Sequence, residues 1–185
     1  MLNMHFFAEP WEVLSHGDCW SNNLLFRYDP ITGKPVEVVF IDLQTSDESD
    51  MFFDICYSFF LNTPQDVRRK HKESFLRIYY DTFTEVCQRF EVRPLPGWSW
   101  EEFNRRFHRA QIYGMSSAAG ELPIMLQDPE EAKDLENLDL DQGQAADEDS
   151  VQKLLNEMCP TNLEFQPMKE RLRGVIEDGV DAGVI

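Results

Sequence analysis

The sequence predicts an α+β domain, mostly helical, with one small β-hairpin ahead of the helices. Three observations carry this expectation. Leu24–Tyr28 and residues 36–41 are β-prone runs on either side of a loop of turn formers that includes Asp29, Pro30 and Gly33. Residues 51–61 form an apolar run of helix length. Beyond it, large apolar residues recur three and four apart, the spacing of a helix with one buried face.

Taken in order, residues 11–15 are a short apolar stretch running into His16, Gly17 and Asp18, and the hairpin follows. A first helix is expected over residues 50–62. Thr63 as N-cap, Pro64 at the first helical position and Asp66 in the first turn predict a second, running to about Phe90. Its buried stripe is read as Leu76, Tyr79, Tyr80, Phe83, Val86, Cys87 and Phe90. Pro94 to Gly97 break it. Ser99 and Glu102 have the spacing of a capping box and open a third helix with Phe103, Phe107 and Ala110 inward. Two short helices are expected near residues 151–158 and 168–180.

The 185 residues are enough for one domain, and 14 Phe with 42% apolar residues supply a core. The net charge of -17 repels phosphate backbones, so nucleic acid is not an expected partner. Residues 121–150 hold eleven carboxylates against the single Lys133, so the acidity belongs mainly to one segment. Residues 127–150 accordingly read as a mobile acidic loop within the domain. Cys19, Cys56, Cys87 and Cys159 show no paired spacing and read as reduced thiols. No secretory signal is visible, and residues 51–61 are about half a membrane span with Asp54 inside. A cytoplasmic monomer that does not enter membranes is expected.

The chemistry concentrates in His16, Gly17, Asp18 and Asn23, followed by Asp42. The chain leaves on one strand at Leu24, turns near Gly33 and returns at Ile41, so Asn23 and Asp42 are expected side by side. Asp18 lies in the loop entering the same end, with His16 bracing that loop. Two carboxylates and an amide are what phosphoryl transfer from ATP asks for. A carboxylate accepts the proton of the attacking hydroxyl, and Asp18 suits that task. Hard oxygens hold Mg²⁺ against the phosphates, and Asn23 and Asp42 suit that one. A lone His-Gly-Asp is equally compatible with an ordinary turn; the joint pattern carries the weight. His5, His71 and His108 have no partners at metal-ligand spacing, and Trp20, Trp98 and Trp100 read as core or rim aromatics.

The pattern H-x-D-x-x-x-x-N, then a hairpin and a second Asp, resembles the catalytic loop of the protein-kinase-like superfamily. Its H-G-D form points to the aminoglycoside phosphotransferase and choline kinase branch. The strings HGDCWSNNLLF, IDLQ and FFDICYSFF, with the closing RLRGVIEDGVDAGVI, resemble the ecdysteroid kinase-like (CHK kinase-like) family. The resemblance implies the mostly helical C-terminal lobe of a kinase-like fold, with the hairpin at its catalytic loop. It implies Asp18 as catalytic base and Asn23 and Asp42 as metal ligands. His16 would brace the loop, and Asp54 would be a buried partner that orients it, a helix cap being the plainer role for Asp54. Leu43 stands where the family usually has Phe, and Cys19 where it often has Leu.

Only fifteen residues precede His16, and no glycine-rich loop or strand lysine paired to a helix glutamate is visible. The expectation is therefore a C-terminal catalytic lobe over residues 1–185 whose ATP-binding N-terminal lobe is absent. The expected activity is ATP- and Mg²⁺-dependent phosphoryl transfer to a small-molecule hydroxyl, a steroid being one candidate, and inactive in the fragment. The rival reading is a pseudokinase-like remnant that binds without turnover.

Overall fold

In a computed structural model, the described residues are 11–126 and 166–185. Their elements are β1 (Glu12–Ser15), β2 (Leu24–Tyr28), β3 (Pro35–Phe40), β4 (Asp47–Asp50), α1 (Phe52–Asn62), α2 (Gln65–Arg89), α3 (Trp100–Met125) and α4 (Gln166–Ala182). The fold is α+β and kinase-like, with four helices and short antiparallel strands.

The expected hairpin forms as β2 against β3, with Leu24 opposite Phe40 and a register shift at Arg27/Tyr28. Its turn is held by Asp29, whose Oδ1 accepts from the Ile31 and Thr32 amides and the Thr32 hydroxyl at 2.7–3.0 Å. Gly33 takes the left-handed backbone (φ 66°) that closes it. Both faces of this hairpin are open: Leu25, Val39, Phe26 and Phe40 are each about half exposed. A second sheet was not foreseen. β1 pairs antiparallel with β4, Glu12 opposite Asp50, and the two flank the hairpin and its approach loops. Asp50 accordingly ends a strand, and α1 starts two residues later than the sequence suggests.

The core is built around α1. Phe52, Ile55, Cys56, Phe59, Phe60 and Leu61 are all buried, which is why this run has no polar face of ordinary width. α1 packs chiefly on α3, and α3 on α4. Gly114 permits the α1–α3 approach, since a Cβ there would stand 2.5 Å from the Cys56 carbonyl oxygen. Trp11, fully buried, donates from Nε1 to the Pro96 carbonyl at 2.8 Å and stacks with Phe52. Trp98 stacks on Tyr80, with ring centroids 4.7 Å apart, and donates to Thr84 Oγ1 at 2.8 Å. Trp98 and Trp100 are thus half-buried rim aromatics of the core.

Several boundaries and faces differ from expectation. Pro64 is the N-cap of α2, its carbonyl accepting from the Arg68 amide, rather than the first helical residue. Thr63 instead closes α1, donating its hydroxyl back to the Phe59 carbonyl. On α2, Leu76 and Cys87 are buried and Tyr79, Tyr80 and Phe83 partly so, but Val86 and Phe90 are exposed. In the last turn of α2 the buried stripe narrows to Cys87. Ser99 caps α3 by accepting from the Glu102 amide at 3.2 Å, while the Glu102 carboxylate turns to Arg105 and Arg106 instead of back to Ser99. The expected helix at 168–180 is α4. The acidic stretch, the helix at 151–158, His5 and Cys159 lie outside the described residues.

Candidate active site

The His16–Asn23 loop is carried by α1. Asp54, in the first turn, accepts from the His16 amide at 2.6 Å (Oδ2) and the Gly17 amide at 2.9 Å (Oδ1). Asn62, in the last turn, accepts from the Ser21 amide at 2.8 Å and donates to the Cys19 carbonyl at 3.1 Å. Between them Tyr57 Oη lies 2.7 Å from Asp18 Oδ1. Asp54, Tyr57, Ser58 and Asn62 therefore make one narrow polar stripe on an otherwise apolar helix. The Trp20 and Asn23 backbone amides bond carbonyls within the loop, while those of His16, Gly17 and Ser21 find their partners on α1 side chains.

His16, buried, places Nε2 2.8 Å from the Ile41 carbonyl and receives the Asp18 amide on Nδ1 at 3.3 Å. A carbonyl on one nitrogen and an amide N–H on the other assign the proton to Nε2. The ring thus ties the loop to the end of β3. Thr45 Oγ1 donates to the His16 carbonyl at 2.9 Å, closing the same junction from the far side. Gly17 is dictated twice: its φ is 83°, and a Cβ would fall 2.4 Å from the Thr45 carbonyl oxygen.

Asn23 ends a short 3-10 turn and is buried. Its Nδ2 donates to Asp18 Oδ2 and to the Asp18 carbonyl, both at 2.9 Å. With both amide protons committed, Oδ1 is the atom Asn23 has left to offer. Its backbone carbonyl accepts from the Ile41 amide at 3.0 Å, so the chain enters β2 at Asn23 and leaves β3 towards Asp42 at the same end of the hairpin. Asp42 is exposed, in left-handed conformation (φ 61°, ψ 64°), with Oδ2 3.5 Å from Gln44 Nε2. A non-glycine residue there costs on the order of 1 kcal/mol, a strain that collects at functional positions.

The donor set fits a magnesium ion by its chemistry. Asn23 Oδ1 and the Asp42 carboxylate are hard oxygens, few in number, leaving room for water and phosphate oxygens. Among the described residues no three His, Cys, Asp or Glu side chains cluster as metal ligands. That is compatible with an Asn/Asp pair and with nothing resembling a zinc centre. The Cys19 thiol beside the site is pushed up, chiefly by burial and further by the Asp54 charge, so it is a poor nucleophile.

Sequence reasoning singled out Asp18, Asn23, Asp42, His16 and Asp54; it did not single out Tyr57, Asn62 and Glu121, which the fold brings to the same loop. Tyr57 and Asn62 were legible as polar residues three and eight positions from Asp54 on an apolar helix. Glu121 was not, since nothing local places the end of α3 beside residue 18.

A helical body that holds a His-Gly-Asp loop by its carboxylate side, with an Asn and a second Asp flanking a hairpin, defines the kinase-like class. Residues 3–92 match the model of the Ecdysteroid kinase-like family, and over that stretch the chain is similar to this family of kinase-like proteins. No curated protein and no solved structure matches the chain. No helix of the described residues is long and apolar enough to cross a membrane.

Proposed function

We propose that residues 1–185 form the catalytic C-terminal lobe of a phosphotransferase that moves the γ-phosphoryl group of ATP to a hydroxyl of a small molecule in the cytoplasm, a steroid being one candidate. The single observation supporting it is the Asp18–Asn23 pair: a carboxylate oriented by an amide whose remaining oxygen is unspent, at the hairpin end that leads into Asp42. In this reading Asp18 accepts the proton of the attacking hydroxyl. Both its oxygens already accept one hydrogen bond, which fixes their direction and leaves lone pairs for the substrate. Asn23 and Asp42 would hold Mg²⁺, which would neutralise charge on the phosphates when bound. His16 and Asp54 keep the loop in place without touching the reacting atoms.

Among the described residues there is no glycine-rich cover for a triphosphate and no strand lysine paired to a helix glutamate. Phosphoryl transfer depends on positioning and charge stabilisation. The 185-residue chain alone is therefore expected to bind Mg-ATP weakly and show no measurable transfer. Fused to an N-terminal lobe of the same family, it gains activity. There Asp18→Asn removes most of kcat with little change in nucleotide affinity, while Asp42→Asn weakens metal-dependent nucleotide binding as well. Transfer at ordinary enzyme rates by the isolated chain would overturn the two-lobe reading. Full activity of the fused Asp18→Asn variant would overturn the base. Nucleotide binding without turnover in the fused protein is the result a binding remnant would give.

A further inference from the structure

Tyr57 carries one proton and stands between two carboxylates. Its Oη is 2.7 Å from Asp18 Oδ1 and 2.5 Å from Glu121 Oε2. A phenol donates once. If Asp18 and Glu121 were both ionised, one of these contacts would set two oxygens with no hydrogen between them well inside hydrogen-bond distance. A second proton must be present, and the partners decide where it sits. Asp18 already accepts from the Asn23 side-chain amide through its other oxygen at 2.9 Å. Among the described residues Glu121 makes no other hydrogen bond. It sits on α3, partly buried, with no basic side chain among the described groups whose charge reaches it.

We propose that Glu121 is a positioning residue for Asp18, its protonated carboxyl donating to Tyr57 Oη so that the Tyr57 hydroxyl is left to donate to Asp18 Oδ1. The inference rests on the reading of Asp18 as the base. In the relay, Asn23 fixes one oxygen of Asp18 and Tyr57 the other, so the carboxylate is pinned in its plane from two sides. When Glu121 ionises, the Tyr57 proton is drawn to the nearer, newly charged oxygen and Asp18 loses one of its two anchors. The titratable groups facing Glu121 are Tyr57 from α1, Asp18 from the loop and Tyr113 from its own helix. Burial is the largest influence and pushes the Glu121 carboxyl up; the Tyr57 hydrogen bond pulls it down, and the Asp18 charge adds a smaller push upward. Burial and both carboxylates raise the Tyr57 hydroxyl, so it stays protonated.

The test uses the intact 185-residue chain and needs neither ATP nor turnover. Side-chain carboxyl ¹³C signals and the Asn23 side-chain amide are followed from about pH 4 to about pH 9, with Glu121→Gln identifying the Glu121 signal. Glu121 is expected to titrate above the ordinary glutamate range. The Asn23 amide, which donates to the far oxygen of Asp18, is expected to shift with the same midpoint. Glu121→Gln, whose amide donates as the acid does but does not titrate, removes that step and holds Asn23 at its low-pH position. Tyr57→Phe cuts the connection, so that Glu121 still titrates and Asn23 no longer responds. An ordinary Glu121 midpoint overturns the relay, and so does an Asn23 step that persists in Glu121→Gln. Should Tyr57→Phe not fold, the Glu121→Gln comparison decides alone. A failed kinase assay would leave these signals unchanged, so the relay and the proposed activity fall separately.

Discussion

Asp42 shows how one residue can be good for chemistry and poor for the fold. Its left-handed backbone would suit glycine better, and its side chain is tied only loosely to Gln44. Asp42→Gly should therefore be as stable as the parent, or more stable by up to about 1 kcal/mol in urea denaturation. Metal-dependent nucleotide binding should be lost in the same variant. A marked loss of stability would show that Asp42 holds the hairpin junction. Asp50 presents the opposite case. It is almost fully buried two residues ahead of α1, its Oδ1 accepting from the Phe52 amide at 2.9 Å. Burial raises its carboxyl above the ordinary range, and the Phe52 bond and Arg106 only partly offset this. The folded state thus holds this proton more tightly than the unfolded chain. Stability from this group is full below the ordinary Asp range and falls as pH rises through the folded value. Asp50→Asn keeps the acceptor and removes the charge. It should match the parent in acid and exceed it at neutral pH, as thermal melts across that range would report.

At the scale of elements, the loop geometry depends on α1 more than on the loop's own sequence. Removing Asn62 should free the Cys19 and Ser21 end of the loop while Asp54 still holds the His16 end. The measurable result for Asn62→Ala is a local rise in amide hydrogen exchange at Ser21, without a matching rise at Gly17. The hairpin, α1, α3 and the last helix were legible because each is punctuated locally: Gly33 in the turn, Ser99 at a cap, unbroken apolar residues in α1. What was not legible is long-range. β1 pairs with β4 across more than thirty residues, and neither Glu12–Ser15 nor Asp47–Asp50 alternates in a way that announces a strand. The exposure of Val86 and Phe90 likewise depends on what packs against α2 from elsewhere in the chain, which periodicity within α2 does not encode. Within the site, the residues on one loop and its hairpin were found. Those contributed by helices from behind were found only where a family string included them, as with Asp54.

For the molecule as a whole, polar ties hold the last helix, α4, to α2. Arg68 on α2 is buried, donates from Nε to Asp178 on α4 at 2.7 Å, and reaches the Thr63 carbonyl as well. Removing only Asp178 leaves a buried guanidinium without its counter-charge, so Asp178→Ala should cost about 3 kcal/mol or more. Replacing both partners with apolar residues, Arg68→Met with Asp178→Leu, should cost less than that single change. Additive losses in denaturation would contradict this account. The open hairpin has a different consequence, for the behaviour of many copies together. Its strands expose unpaired backbone edges and apolar side chains on both faces, which is the kind of surface that adds strands from a neighbour. What holds copies apart is the net charge of -17, and that repulsion reaches only about 10 Å at 0.1 M salt and about 3 Å at 1 M. The protein should therefore be most dispersed in dilute buffer and self-associate as salt rises, the reverse of a chain held together by ion pairs. A Val38→Lys substitution on the hairpin should restore dispersion at high salt in light scattering, making colloidal stability a readout of how well this one hairpin is covered.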